Sequence, residues 1–323
     1  MFDIDWDALS FDDFSRLRDE LVRQMRRRFE REVALVFTDI VGSTDYFASH
    51  GSVAGEALLR RHEALLVAAM RGRGRVIDFA GDGAFCAFDD VEAGLDTLVV
   101  LQERIALENG EVGESERLSV RSGLHFGPAL VSESKVRGDS VNFAARVASG
   151  ARGGEVRLSK AAVERLSPER RVRCLRLPDA ELKGFPGRAE LSAYDWRDPN
   201  RYPTRVVLEQ TGESIALPCQ DRITLGRLSE HAGERTNDIV LKLQDAGDTL
   251  CISRWHIALE QAPSGYEVRS LSTKRTVVDG RELVKGEKAP IRPGATVLLS
   301  DVLTLRFEGP DVDPSLAATI DPE

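Results

Sequence analysis

Val36-Phe37-Thr38-Asp39-Ile40-Val41-Gly42-Ser43-Thr44 decides the reading of this 323-residue chain. An apolar run from Val33 ends on a carboxylate just before a glycine at which the backbone can turn, which reads as a buried strand carrying an acid at its end. Asp78-Phe79-Ala80-Gly81-Asp82-Gly83 repeats the arrangement further on, with Asp82 at the turn. Paired carboxylates on rigid strands are what two divalent metals need to organise a phosphoryl transfer. Asn142-Phe143-Ala144-Ala145-Arg146 then sets an amide and a guanidinium one helical turn apart, so that both can face one phosphate. Lys183-Gly184 follows. Taken singly, Gly81-Asp82-Gly83 is also a good hairpin turn, Asn142 a helix N-cap and Arg146 a solvated residue. The ordered set reads as a nucleotide site.

Around these motifs the pattern mixes strands and helices. Glu32 to Thr38, Arg75 to Phe79, Ala84 to Phe88 and Leu118 to His125 read as strands. Ala54 to Arg71, Val91 to Glu108 and Val141 to Ala148 read as helices, the first with Leu58, Leu59, His62, Leu65 and Leu66 on its apolar side. Such a mixture implies a layered α/β domain. Upstream, Ser10 is a plausible N-cap with Asp12 and Asp13 behind it. Phe14, Leu17, Leu21, Met25 and Phe29 then form one apolar stripe, either packed on its own domain or pairing with a second copy.

Arg197-Asp198-Pro199-Asn200-Arg201-Tyr202-Pro203 breaks the pattern, and short alternating strands follow it, from Arg205 to Glu209 through to Val297 to Phe307. The expected division is an N-terminal amphipathic helix over 1–32, an α+β domain over 33–197 and a linker over 198–204. An all-β sandwich over 205–308 and a disordered acidic tail over 309–323 complete it.

Residues 33–197 resemble the class III nucleotidyl cyclase catalytic domain. The likeness rests on Phe37-Thr38-Asp39-Ile40, Gly81-Asp82, Val120-Arg121-Ser122-Gly123-Leu124-His125-Phe126-Gly127, Val141-Asn142-Phe143-Ala144-Ala145-Arg146 and Leu182-Lys183-Gly184. The resemblance implies a ferredoxin-like, antiparallel-rich sheet with covering helices, and cyclisation of a nucleoside triphosphate with loss of pyrophosphate. It implies two Mg²⁺ or Mn²⁺ per active site on Asp39, Asp82 and the Ile40 carbonyl. Arg121 and Lys183 would hold the leaving phosphates, Asn142 would orient the ribose, and Arg146 would meet charge on the α-phosphoryl group. In the family these two sets come from opposite subunits, so a homodimer is implied. The base-reading positions depart from the adenine pattern: Asp78 and Lys135 carry the opposite charges from the usual Lys and Asp. That pair complements the N1–H and O6 of guanine, or the N3–H and O4 of uracil. The frequency of cyclic AMP producers keeps ATP narrowly ahead of GTP, with UTP a further alternative. An inactive cyclase-fold scaffold and a polymerase-like metal enzyme are the rival readings.

The second half resembles a forkhead-associated domain, a phosphothreonine-binding β-sandwich. Leu225-Gly226-Arg227, Asn237-Asp238-Ile239, Ser253-Arg254-Trp255-His256, Thr276 and Asp279-Gly280 carry the likeness. It implies phosphopeptide contacts from Arg227, Ser253, Arg254, Thr273 and Lys274, with His256 holding its loop from inside. The partner would be a phosphothreonine protein or the chain's own tail, where Thr319 is a candidate. Ser272-Thr273-Lys274-Arg275-Thr276 lacks the Asn-Gly pair usual before the threonine, which places peptide selectivity in question.

Composition agrees with a globular protein of two domains: 42% of residues are hydrophobic and 30% charged. A net charge of -9 argues against nucleic acid as a partner. The longest apolar runs, such as Leu65 to Met70, are too short to span a membrane. Without a basic and apolar leader, and with Cys86, Cys174, Cys219 and Cys251 scattered, the expected location is the reducing cytoplasm.

Overall fold

A computed structural model describes residues 9–231 and 234–309. The acidic tail beyond 309, with Thr319, lies outside the described residues, as does the start of the 1–32 segment. Helix α1 (Phe11–Phe29) begins with a capping box: the Asp13 amide donates to Ser10 Oγ and the Ser10 amide to the Asp13 carboxylate at 3.1 Å. It buries none of its residues, and Leu21, Val22 and Met25 lie exposed along it.

The chain passes directly from α1 into β1 (Glu30–Ile40). With β2 (Arg75–Ala80), β3 (Gly83–Phe88), β4 (Val120–Val131), β5 (Val136–Arg137), β6 (Val156–Ser159), β7 (Cys174–Arg176) and the later β10 (Leu191–Tyr194), it makes an eight-stranded sheet. The order is β2-β3-β1-β4-β6-β10-β7, with β5 beside β4. All pairings in it are antiparallel except that of β4 with β6. A separate hairpin, β8 (Ala180–Glu181) and β9 (Arg188–Ala189), precedes β10.

Alternation along β1 sorts its side chains between two layers. Ala34, Val36 and Ile40 join the core built with α2 (Ser43–Met70) and α3 (Val91–Asn109). Val33, Leu35 and Phe37 pack instead with Ala144 of α4 (Asp139–Ser149) and with Phe85 and Val136. Helix α4 lies very close to the sheet because β4 offers Gly123 there: a Cβ at that position would sit 2.4 Å from the Ala148 nitrogen. The expected helix over 54–71 is the second part of α2, which starts at Ser43 and breaks at Gly51 (φ 81°, ψ 170°).

The second half is two packed sheets. One has six strands and contains Arg205–Leu208, Leu303–Glu308 and Thr296–Leu299; the other has five and contains Arg222–Gly226, Ile257–Ala262 and Gly265–Ser270. Val206, Leu225, Leu259, Val268, Leu305 and Phe307 fill the space between them. The strand expected over 297–307 is two strands, turned at Ser300 and Asp301, whose φ values of 50° and 59° take the backbone through the left-handed region.

The segment joining the halves is anchored. Arg197 is 2% exposed, and its guanidinium reaches the Asp195 carboxylate (2.8 and 2.9 Å), the Pro218 and Leu217 carbonyls (both 3.1 Å) and Tyr266 Oη (3.0 Å). A buried guanidinium is tolerated because its donors are satisfied in this way. Tyr202 is buried beside it, donating to the Ala262 carbonyl at 2.8 Å with its ring edge-on to Trp196 and Tyr266.

Candidate active site

Asp39 is the last residue but one of β1 and pairs in register with Gly83 on one side and Arg121 on the other. Asp82 occupies the β2–β3 turn, where Gly81 takes φ 63°, and its carbonyl accepts from the Ile40 amide at 3.3 Å. Burial raises the Asp39 carboxyl above its ordinary value, the Arg121 hydrogen bond opposes that, and the facing charge of Asp82 adds to the rise. Two half-buried carboxylates in mutual repulsion form a hard-oxygen donor pair that fits Mg²⁺ or Mn²⁺. Among the described residues no group of three His, Cys, Asp or Glu side chains could hold a metal. Further ligands would therefore be backbone, water or substrate oxygens, as is usual for Mg²⁺.

Three neighbours went unnoticed as site residues in the sequence. Ser43, the residue after Gly42 in the opening motif, is buried and donates its hydroxyl to the Asp82 carboxylate. His62 is buried beneath the strand end, 3.0 Å from Thr38 Oγ1. Burial holds it down to about 4, so it is neutral at pH 7. A histidine in the apolar stripe of the helix over 54–71 was its only signal. Arg75 donates to the Ser132 and Glu133 carbonyls at 2.9 and 3.0 Å, fastening β2 to the turn that holds Lys135. Asp78 lies on that same strand, and both base-reading candidates are exposed.

Arg121 lies beside Asp39, its Nε donating to that carboxylate at 2.8 Å and its Nη1 to the Ser149 carbonyl at 3.1 Å. The Asn142 and Arg146 side chains point elsewhere. Ala144, Val147 and Ala148 form the buried face of α4, while Asn142 and Arg146 are exposed. At 100° per residue they stand about 160° and 200° around the helix from Ala144, on the side away from the sheet. Neither side chain has a hydrogen-bond partner among the described residues. Lys183 is exposed in the β8–β9 loop, which Leu182 and Phe185 tie to α4: the Phe143 and Phe185 rings meet edge to face at 5.0 Å. The candidates thus form two groups, Asp39, Asp82 and Arg121 at the strand ends, and Asn142 and Arg146 on the outer side of α4, with Lys183 on a loop that packs against Phe143 and Val147 of that helix.

In the sandwich, Arg227 and Ser253 lie on adjacent loops, linked by the Arg227 amide donating to the Ser253 carbonyl at 3.1 Å. Arg227 Nε is buried with no hydrogen-bond partner among the described residues. Ser253 Oγ is 2.5 Å from Ser272 Oγ, and the Ser253 amide donates to His256 Nδ1 at 3.1 Å. Arg254 and Thr273 are exposed. The Lys274 ammonium donates to the Leu250 and Cys251 carbonyls at 2.9 and 2.7 Å, so it caps the short helix Ala246–Cys251.

Residues 25–195 match the family model described as the adenylate and guanylate cyclase catalytic domain. A putative adenylate cyclase 3 of Rhizobium meliloti is 24% identical over 191 residues, covering 56% of this chain and 32% of the relative. A serine/threonine-protein kinase, pkn2, of Myxococcus xanthus is 28% identical over 132 residues, covering 41% of this chain and 16% of the relative. The chain therefore spans about a third or less of these curated relatives. Among solved structures, the adenylyl cyclase CyaB of P. aeruginosa superposes with a TM-score of 0.46 at 17% identity, covering 51% of this chain and 94% of that one. No described helix is long and apolar enough to cross a membrane.

Proposed function

The chain belongs to the adenylate and guanylate cyclase catalytic-domain family, and we propose that it converts a nucleoside triphosphate to the 3',5'-cyclic monophosphate and pyrophosphate at sites shared between two copies. The observation that carries this reading is the opposed orientation of the two groups: Asn142 and Arg146 face away from the sheet whose strand ends hold Asp39 and Asp82. A second copy supplying the missing group completes each site, and the exposed stripe of α1 offers that copy further apolar contact.

Asp39, Asp82 and the Ile40 carbonyl would hold two divalent cations, Mg²⁺ or Mn²⁺, which supply Lewis acidity and neutralise triphosphate charge. In the reaction the 3'-oxygen forms a bond to the α-phosphorus, the bond to the β-phosphate oxygen breaks, pyrophosphate leaves, and the hydroxyl proton passes to solvent. Arg121 exchanges Asp39 for a leaving-phosphate oxygen, and Lys183 of the other group holds the same phosphates. Asn142 orients the ribose, and Arg146 meets charge growing on the α-phosphoryl oxygens. Asp78 and Lys135 flank the base. Their charges complement a keto base, while the name of one curated relative keeps ATP ahead of GTP and UTP.

The β-sandwich is proposed as a forkhead-associated module that binds phosphothreonine. The buried, unpartnered Nε of Arg227 beside Ser253 supports an anion there. With Lys274 occupied as a helix cap, the phosphate is left to Arg227, Ser253 and Arg254. Asp39→Ala and Asp82→Ala test the catalytic half. Each should leave the circular dichroism spectrum and the dimer intact and less than roughly a tenth of the cyclase activity at saturating Mn²⁺. Retention of more than that in either variant is incompatible with the assigned role.

A further inference from the structure

The turn between α4 and β6 is gripped from outside its own domain. Arg152 in that turn forms an ion pair with Asp238 of the sandwich, whose side chain is only 9% exposed. The second oxygen of Asp238 accepts from the Thr224 amide and hydroxyl, both at 2.8 Å. The residue before it, Asn237, donates through Nδ2 to the Leu228 and Arg254 carbonyls, both at 2.8 Å, and so ties the Arg227 loop to the Ser253–Arg254 loop. On the catalytic side, Arg121 joins the end of α4 to Asp39, donating to the Ser149 carbonyl and to that carboxylate.

A second contact fixes the same turn. The Ser119 hydroxyl donates to the Asp221 carboxylate, and the Asp221 amide donates to the Gly153 carbonyl at 3.0 Å. Only glycines allow this approach: a Cβ at Gly153 would lie 2.2 Å from Ser119 Oγ, and one at Gly154 (φ 75°) would lie 2.5 Å from the Asp221 nitrogen. The Ser119 carbonyl in turn accepts from the Val41 amide at 2.9 Å, two residues after Asp39.

We propose that Asp238, presented in cis by the β-sandwich, is a positioning residue for cyclisation: through Arg152 it sets the turn over 150–155, and with it the end of α4 and Arg121. The inference rests on the cyclase reading and extends it. The sandwich becomes part of the catalytic unit, because one contiguous set of contacts runs from the Arg227 and Ser253 loops to Asp39. Occupation of those loops by a phosphate would act on the same turn, since Asn237 and Asp238 are adjacent.

The test uses the full chain carrying Arg152→Gln, Asp238→Asn, both together, or Arg152→Lys. The readouts are kcat and KM with ATP and GTP, and hydrogen exchange across 139–155. Arg152→Gln and Asp238→Asn should each lower kcat about three- to tenfold with KM changed less than about twofold, because misplaced groups lose rate more than ground-state binding. The double variant should be no worse than either single one, and Arg152→Lys should recover most of the rate. Exchange in 145–155 should quicken in the two charge-removing variants. Wild-type kcat together with wild-type exchange in both would overturn the inference and leave Asp238 a docking contact. If the unaltered protein makes no cyclic nucleotide, the cyclase reading fails and this inference with it; if the unaltered protein is active and the variants match it, the inference alone fails. If Asp238→Asn does not fold, Arg152→Gln, at a side chain 52% exposed, carries the same test.

Discussion

Mixing two inactive chains should restore activity. Asp39→Ala removes one of the paired carboxylates, and Arg146→Ala removes the cation assigned to the α-phosphoryl group. Each homodimer then carries two damaged sites. Loss of a transition-state charge partner of the Arg146 kind costs about 10²–10³ in turnover, and loss of a metal carboxylate should cost at least as much. In a heterodimer one site combines the intact Asp39 of one chain with the intact Arg146 of the other, while the second site collects both lesions. Random exchange of equal amounts makes about half the dimers heterodimeric, each with one working site of two, so activity should recover to about a quarter of the unaltered level at equal total chain. Cyclic nucleotide would be quantified by mass spectrometry, and heterodimers counted from two distinguishable tags. The structural basis is the outward side of α4: Asn142 and Arg146 stand opposite Ala144, Val147 and Ala148, which pack on the sheet. Activity no higher than in the parent variants, with heterodimers shown to be half the population, would mean that each site is built within one chain.

Asp78→Lys combined with Lys135→Asp should move preference towards ATP, and each single change should harm activity more than the pair, because it leaves two like charges at one base; an unchanged ATP:GTP ratio in the double variant would remove these positions from base selection. Arg227→Ala should abolish phosphothreonine-peptide binding in calorimetry, and an unaltered chain that binds no peptide of a diverse library would make the sandwich a protein-contact module. His62, His125 and His256 are each held down to about 4 by burial, below the unfolded value of 6.5. Their contribution is therefore complete above pH 6.5 and is lost as pH falls towards 4, about 2 kcal/mol each by pH 5; a urea-unfolding free energy that stays flat between pH 7 and pH 5 would contradict this.

The catalytic half was readable where chemistry and local pattern coincide. Asp39 and Asp82 fall at strand ends because apolar runs stop there and glycine follows, and the i, i+4 spacing of Asn142 and Arg146 needs only a helix to place them together. Partnerships made by register were not readable. Nothing local says that β4 slides until Arg121 faces Asp39, or that His62 rises beneath Thr38. The anchoring of the domain junction was hidden for the same reason. Arg197, at the border of the linker expected over 198–204, is anchored to Pro218 and Tyr266 of the sandwich. Lys274 was expected among the phosphopeptide contacts only from its place in the forkhead-associated resemblance, and its ammonium donates instead to the carbonyl end of a short helix distant in the chain. The first part of α2, from Ser43 to His50, was missed because it is mostly polar and carries no apolar stripe, and the turn at Ser300-Asp301 because apolar residues resume at Val302 directly beyond it.

The most direct test of the central claim is to incubate the protein with ATP, GTP, CTP and UTP in turn, with Mg²⁺ or Mn²⁺, and to identify every product by mass spectrometry. Formation of a 3',5'-cyclic monophosphate with an equal amount of pyrophosphate, absent from the Asp39→Ala protein, is the predicted result. No conversion of any triphosphate by a confirmed dimer, or a linear diphosphate or monophosphate as the sole product, would contradict it.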